Sequence, residues 1–392
     1  MTSRAIWLRG FRPFFLGASV YAILTMATWL LVYRFGLKLD LSGLSIFQWH
    51  AHEMLYGYAM AVIAGFLLTA AWNWTGEATA TGTGLALVFI FWVAARLAMA
   101  NGTGFLVYAA AADLLFMLGL GIAVGRPIIK VRQKRQAPVL IIIALLAASN
   151  MLFYLGAAGV VEQGVRLGIY SGLYLVLGMV LFMGRRVIPF FTERGVGYPV
   201  ELKNERWNDI VTAILFPAFL FSEVFLPHHF AGALLAAGLF LSNSLRINGW
   251  HTLGVWQKPL LWGLFAAFIM INLGFLLRAM ALVTTIPDYL PIHAFAVGGV
   301  GIITISMMAR VTLGHTGRNV HQAPPVMTIL LAAMVLTTII RIFMPLMDPA
   351  RYQSWILVSG LMWILTFILF SIIFIPMLLR PRANDPASVN RP

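Results

Sequence analysis

Eight histidines carry most of the metal-ligand chemistry open to this chain, because its 392 residues include no cysteine. Without thiolates there is no disulfide framework, no thiolate metal site and no iron–sulfur cluster. The sharpest local pattern is Trp49-His50-Ala51-His52-Glu53-Met54. On a helix, residues two apart point about 200° from each other, so His50 and His52 serve different partners and do not easily chelate one ion. Glu53 stands three residues after His50 on the same face, where it would orient that ring or join a ligand set. His52 shares its face with Tyr56. The bland alternative is a group of polar residues at a wet helix start. A second pattern runs Pro291-Ile292-His293-Ala294-Phe295-Ala296-Val297-Gly298-Gly299. The small residues after His293 admit either a flat macrocycle or another helix close to the backbone. A third pattern joins Arg246 through His251 with Arg310, His315 and Arg318. It offers a second metal or anion site, against the simpler reading of charged anchors at helix ends. His228 and His229, after Pro227, are read as a solvated turn.

The elements that must position these residues are membrane helices. The chain is 61% hydrophobic and 10% charged, against about 25% charged in soluble domains. No soluble fold has enough interior for that much apolar surface, so the lipid bilayer is the first partner. Apolar runs predict an all-α bundle of about twelve transmembrane helices. The first six fall near 11–33, 50–72, 83–100, 104–125, 138–158 and 166–189. The second six fall near 208–226, 229–246, 258–281, 290–311, 325–346 and 353–379. The whole of 1–392 is read as one integral membrane domain. Its two six-helix halves, about 1–192 and 206–392, are joined by a polar loop. No fixed-period repeat and no symmetry between the halves is visible.

Most of the 27 lysines and arginines fall on one side of these spans, leaving Arg34, Lys38, Arg96, Arg166, Arg278, Arg341 and Arg351 opposite. That bias predicts cytoplasmic N- and C-termini and a multi-pass protein of the bacterial inner membrane. The net charge of +14 is scattered through the loops, which argues against nucleic acid as a partner. His50, His52 and His293 then lie on the outer side, and His251 and His315 on the inner side.

Several segments resemble the NnrS family of bacterial membrane proteins. They are Arg9-Gly10-Phe11-Arg12-Pro13-Phe14-Phe15, Trp49 to Met54, Ala64 to Ala70 with Asn73-Trp74-Thr75-Gly76, and Gly184 to Thr192. The stretch from His293 through Arg310 to Arg318 completes the set. The resemblance implies a protein containing haem and copper, tied to nitric oxide metabolism and resistance to nitrosative stress. It does not supply a reaction. In one departure, many members of that family carry a His shortly after the Pro-Leu-Leu-Trp motif, here Pro259 to Trp262, where this chain has Phe265. The architecture is also similar to that of haem–copper oxidases, whose catalytic subunit holds a haem between histidines of helices two and ten.

These readings combine into an expectation. A haem, taken as b-type, is ligated by His293 and by His52 in preference to His50. His50 and Glu53 are left for copper, and His251 and His315, with Arg246, Arg310 and Arg318 near them, for an inner metal or anion site. Nitric oxide and a membrane or periplasmic electron donor are the expected partners. The alternative is a transporter for a small solute or metal complex, which the scarcity of mid-membrane charge disfavours.

Overall fold

The computed structural model describes residues 5–383. It is all-helical, 81% helix, with no strand among the described residues and twelve helices long and apolar enough to cross a membrane. In chain order these are α1 (Phe11–Phe35), α2 (Ile46–Thr75), α3 (Gly82–Ala100), α4 (Thr103–Lys130), α5 (Lys134–Ala157) and α6 (Gly164–Gly195). They continue as α7 (Arg206–Phe225), α8 (Phe230–Trp250), α9 (Pro259–Met280), α10 (Tyr289–His315), α11 (Val326–Met347) and α12 (Pro349–Leu379). Each expected span meets one of these helices.

Local chemistry sets the ends. Ser45 caps α2 reciprocally: its hydroxyl accepts from the Gln48 N–H at 3.3 Å, and the Gln48 side chain accepts from the Ser45 N–H at 2.9 Å. Gly36 and Gly76, both in the left-handed region, stop α1 and α2. Pro259 opens α9, where a missing N–H costs nothing.

Burial separates central helices from lipid-facing ones. In their most apolar stretches α2 is 83% buried and α9 and α10 are each 72% buried, against 33% for α7 and α12. A helix apolar on every face belongs inside, and these three are the helices that carry His52 and His293 or pack against them.

The chain forms two compact units. Unit 1 comprises residues up to Gly172, Met308–Asn319 and the chain from Trp363; unit 2 comprises Leu173–Met307 and Val320–Met362. The boundaries fall inside α6, α10 and α12, so the units are interleaved along the chain and are not consecutive halves. In unit 1, α1 lies against α2: the Phe11 N–H donates to Thr69 Oγ1 at 3.2 Å, and a methyl at Gly65 would stand 2.8 Å from the Phe15 ring. Trp92 of α3 donates to the Gly57 carbonyl of α2 at 2.9 Å. In unit 2, methyls at Gly298 and Gly299 would meet Met270 and Ile271 at 2.6 and 2.5 Å. The small residues after His293 therefore admit α9, which is ordinary close packing of membrane helices.

Candidate functional site

Seven residues into α2, about 10 Å of rise from its start, the chain places an ionic network in a fully buried setting. His52 and Glu53 are both 0% exposed, Asp113 is 1% and Arg96 is 4%. The Arg96 guanidinium donates from Nη1 to both carboxylate oxygens of Glu53, at 2.8 and 2.9 Å, and from Nη2 to Asp113. His52 Nδ1 lies 2.7 Å from Glu53 Oε1, and His52 Nε2 lies 3.0 Å from Asn150 Oδ1 and 3.9 Å from Asp113 Oδ2. Tyr21 donates to Glu53, and Tyr154 donates to Asp113 Oδ2 at 2.7 Å. The Phe153 ring stacks on His52, with centroids 4.0 Å apart. Helices α1 to α5 each contribute at least one group.

Two carboxylates face one guanidinium, and both ring nitrogens of His52 lie against groups of the same network. Buried charges at membrane depth persist only when they are paired in this way.

This geometry redistributes the roles expected in the second span. Glu53 faces His52, Arg96 and Tyr21. Immediately after His52, residues Glu53–Ala59 follow a π-helical course, with i→i+5 hydrogen bonds, so the 3.6-residue period does not set the faces of the residues beyond Glu53. Both ring nitrogens of His52 are engaged by protein groups, Glu53 and Asn150, so neither is aimed at a metal. The half-buried His50 has its ring 4.7 Å from that of Trp29.

His293, in unit 2, has a different environment. Its Nδ1 lies 2.6 Å from the Tyr289 carbonyl, one turn earlier. A carbonyl only accepts, so Nδ1 carries the proton and the ring's lone pair is on Nε2. That is the tautomer and orientation typical of metal-ligating histidines. The residues that follow, Ala294–Gly301, form the second π-helical stretch. Both histidine motifs singled out by sequence are thus followed at once by a π turn, an irregularity found disproportionately at functional sites.

The other candidates have separate neighbours. His251 Nε2 accepts from Trp256 Nε1 at 3.1 Å, and its ring packs on Trp256 and Phe265. His315, in unit 1, packs on Phe11 at 5.6 Å and lies 3.4 Å from the Asn73 side chain. Arg246 is held within unit 2 by Asp209 at 3.1 Å and by Thr212 Oγ1 at 3.2 Å. Arg310 lies on α10, two turns before Arg318 leaves it. His229 caps α8 by accepting from the Ala231 N–H at 3.2 Å, in keeping with a turn role. No group of three or more His, Asp or Glu is placed to hold a metal ion among the described residues.

Sequence reasoning missed Arg96, Asp113, Asn150, Tyr154 and Tyr21. Arg96 was counted as an orientation charge because it lies near a helix end. The available signal was the presence of Arg96 and Asp113 inside apolar spans, where an ionisable residue implies a partner. Mid-membrane charge is correspondingly less scarce than expected. Unit 2 adds a further, partly buried pair, Arg278 with Glu223 at 2.9 Å.

Fold and site together define a polytopic helical membrane protein with a buried ionic network among its first five helices. The family model for NnrS protein matches residues 5–382, and the chain belongs to the NnrS family. Comparison with curated protein sequences gave no match.

Proposed function

We propose that this NnrS-family protein binds haem in the bacterial inner membrane and acts in nitric oxide metabolism or nitrosative-stress resistance, by redox or nitric-oxide-binding chemistry. The observation that carries the reading is the 2.6 Å contact from His293 Nδ1 to the Tyr289 carbonyl, which fixes the proton on Nδ1 and the lone pair on Nε2, the tautomer that metal-ligating histidines use. Haem would supply an iron centre that binds the diatomic or passes electrons from a membrane or periplasmic donor. His52 is reassigned. Its ring nitrogens are engaged by Glu53 and Asn150, and its role is to tie the buried network together. His50 is the second-span histidine suited to a metal, haem iron or copper. Glu53 does not join it as a ligand, because that carboxylate is committed to Arg96.

The test is the visible spectrum of the purified protein. His293→Ala should abolish or strongly alter haem absorption, and His50→Ala should change it more than His52→Ala, which should instead lower stability. Unchanged haem content and spectrum in the His293 variant would sink the assignment.

A second reading, transport of a small solute or metal complex, draws support from the buried Glu53–Arg96–Asp113 charges, because such groups also mark proton-coupled pathways. A colourless, metal-free preparation that is still functionally competent favours it.

A further inference from the structure

Five arginines and a histidine converge at the end of unit 1 where α1 begins. Arg9 and Arg12 come from the entry to α1, His315 and Arg318 from the end of α10, and Arg380 and Arg382 from the chain leaving α12. The convergence is built by specific bonds. Arg12, 4% exposed, donates from Nη1 to the carbonyls of Leu378 and Arg380, each at 2.6 Å. The Ala383 N–H donates to the Thr316 carbonyl at 2.9 Å. That bond lays Arg382 along Gly317, where a methyl would stand 3.1 Å from Arg382 Cγ. Asn73 of α2 closes the other side, accepting from Arg9 at 3.4 Å and lying 3.4 Å from His315 Nε2. Aromatic rings floor the cluster: Arg9 lies over Trp72 at 4.3 Å, and Phe11 supports His315.

Nothing anionic among the described residues answers these charges. Elsewhere three arginines at membrane depth are matched by carboxylates: Arg96 by Glu53 and Asp113, Arg246 by Asp209, and Arg278 by Glu223. No described carboxylate pairs with Arg9, Arg12, Arg318, Arg380 or Arg382. Partial burial and the Arg382 charge hold Arg9 below the usual guanidinium range, and partial burial and the Arg380 charge do the same to Arg318. Like charges gathered from three chain segments repel one another, and a bound anion offsets that repulsion through charge-assisted hydrogen bonds.

We propose that this cluster is a binding site for a phosphate group, carried either by an anionic phospholipid headgroup or by free inorganic phosphate. The planar forks of several guanidinium groups match phosphate oxygens in bidentate geometry. A basic cluster with an aromatic floor at the ends of membrane helices also suits the headgroup layer. The site is independent of any haem.

The full-length protein in mild detergent should be titrated with phosphatidylglycerol, with phosphatidylcholine, and with inorganic phosphate against chloride at equal ionic strength. Thermal unfolding and native mass spectrometry are the two readouts. Arg382→Gln, an exposed and mild change, and the double variant Arg9→Gln/Arg382→Gln are compared with Lys134→Gln, which removes the same charge from the exposed start of α5. Phosphatidylglycerol alone stabilising and remaining bound identifies a headgroup site; stabilisation by inorganic phosphate identifies a free-anion site. Either effect should weaken about tenfold in Arg382→Gln, the loss expected for one charged hydrogen bond, and persist in Lys134→Gln. If neither probe separates wild type from Arg382→Gln, or Lys134→Gln loses as much, the proposal is overturned.

Discussion

Replacing Arg96 by Met tests whether the second-span network is an ionic unit or a set of ordinary polar contacts. Arg96 makes two bonds to Glu53 and one to Asp113, with the three side chains 4%, 0% and 1% exposed. Were these average intramembrane hydrogen bonds, worth about 0.6 kcal/mol each, their loss would total about 2 kcal/mol. Methionine leaves two buried carboxylates facing each other with only His52 to balance them. Breaking a buried pair from one side costs about 3–5 kcal/mol, and the larger figure is expected here. Neutralising both acids in the same background, with Glu53→Gln and Asp113→Asn, should recover a large part of that loss, because the penalty lies in the unpaired charges. The assay is the loss of helical signal of the purified protein with rising SDS in mixed micelles. A loss below about 1 kcal/mol for Arg96→Met, or no recovery on neutralising the acids, would refute the ionic account.

Three further outcomes are expected. Reporter fusions at the C-terminus and in the 131–136 turn should be active in the cytoplasm and silent in the periplasm; the opposite pattern overturns the orientation drawn from basic-residue bias. Gly57→Ala places a methyl 2.5 Å from the Tyr21 ring and 3.2 Å from Arg96 Nη1, so it should cost about 1–3 kcal/mol in the same assay; a neutral result means Tyr21 can move away without loss. Asp40, in the loop after α1, accepts from the N–H and hydroxyl of Thr103, both at 2.9 Å, and these bonds hold its carboxyl below the usual range. A depressed folded-state pKa means the contribution is complete above the ordinary aspartate range and is lost as pH falls through and below it. Hydrogen exchange of residues 36–45 should therefore be faster in Asp40→Asn than in wild type at neutral pH, with the difference closing in acid. A constant difference at every pH would contradict this.

The helical spans were legible because a bilayer demands long apolar runs, and polar breaks such as Asn101-Gly102 cannot be hidden within one. The histidine motifs were legible as exceptions to that demand. Their partners were not. Arg96 meets Glu53 across 43 residues of sequence, and a span's own pattern does not say which neighbour its lone charge will find. Position near a helix end made Arg96 look like one more anchor. The spacing of His50 and Glu53 suggested a shared role, but Glu53 is claimed by Arg96 and Tyr21 from other helices, partners that the spacing within one helix cannot reveal. At His293 the sequence located the residue, while the proton-fixing Tyr289 carbonyl is a backbone group that no side-chain pattern reveals.

The widened turns at Glu53–Ala59 and Ala294–Gly301 have a consequence for how these two helices tolerate change. A π turn accommodates roughly one more residue than an α turn, so it acts as a phase shift of about 100° between the rod before it and the rod after it. In α2 the rod after it is locked to α1 through Gly65 and Thr69, and the rod before it carries His52. Rewinding Glu53–Ala59 as ordinary α-helix with all seven residues kept would swing His52 away from Asn150 with every side chain's chemistry intact. Losing one residue would instead let the ordinary winding return with the two rods still nearly in phase. Residue count, more than residue type, therefore sets the winding of these two stretches, and a single insertion there should disturb the network more than a single deletion.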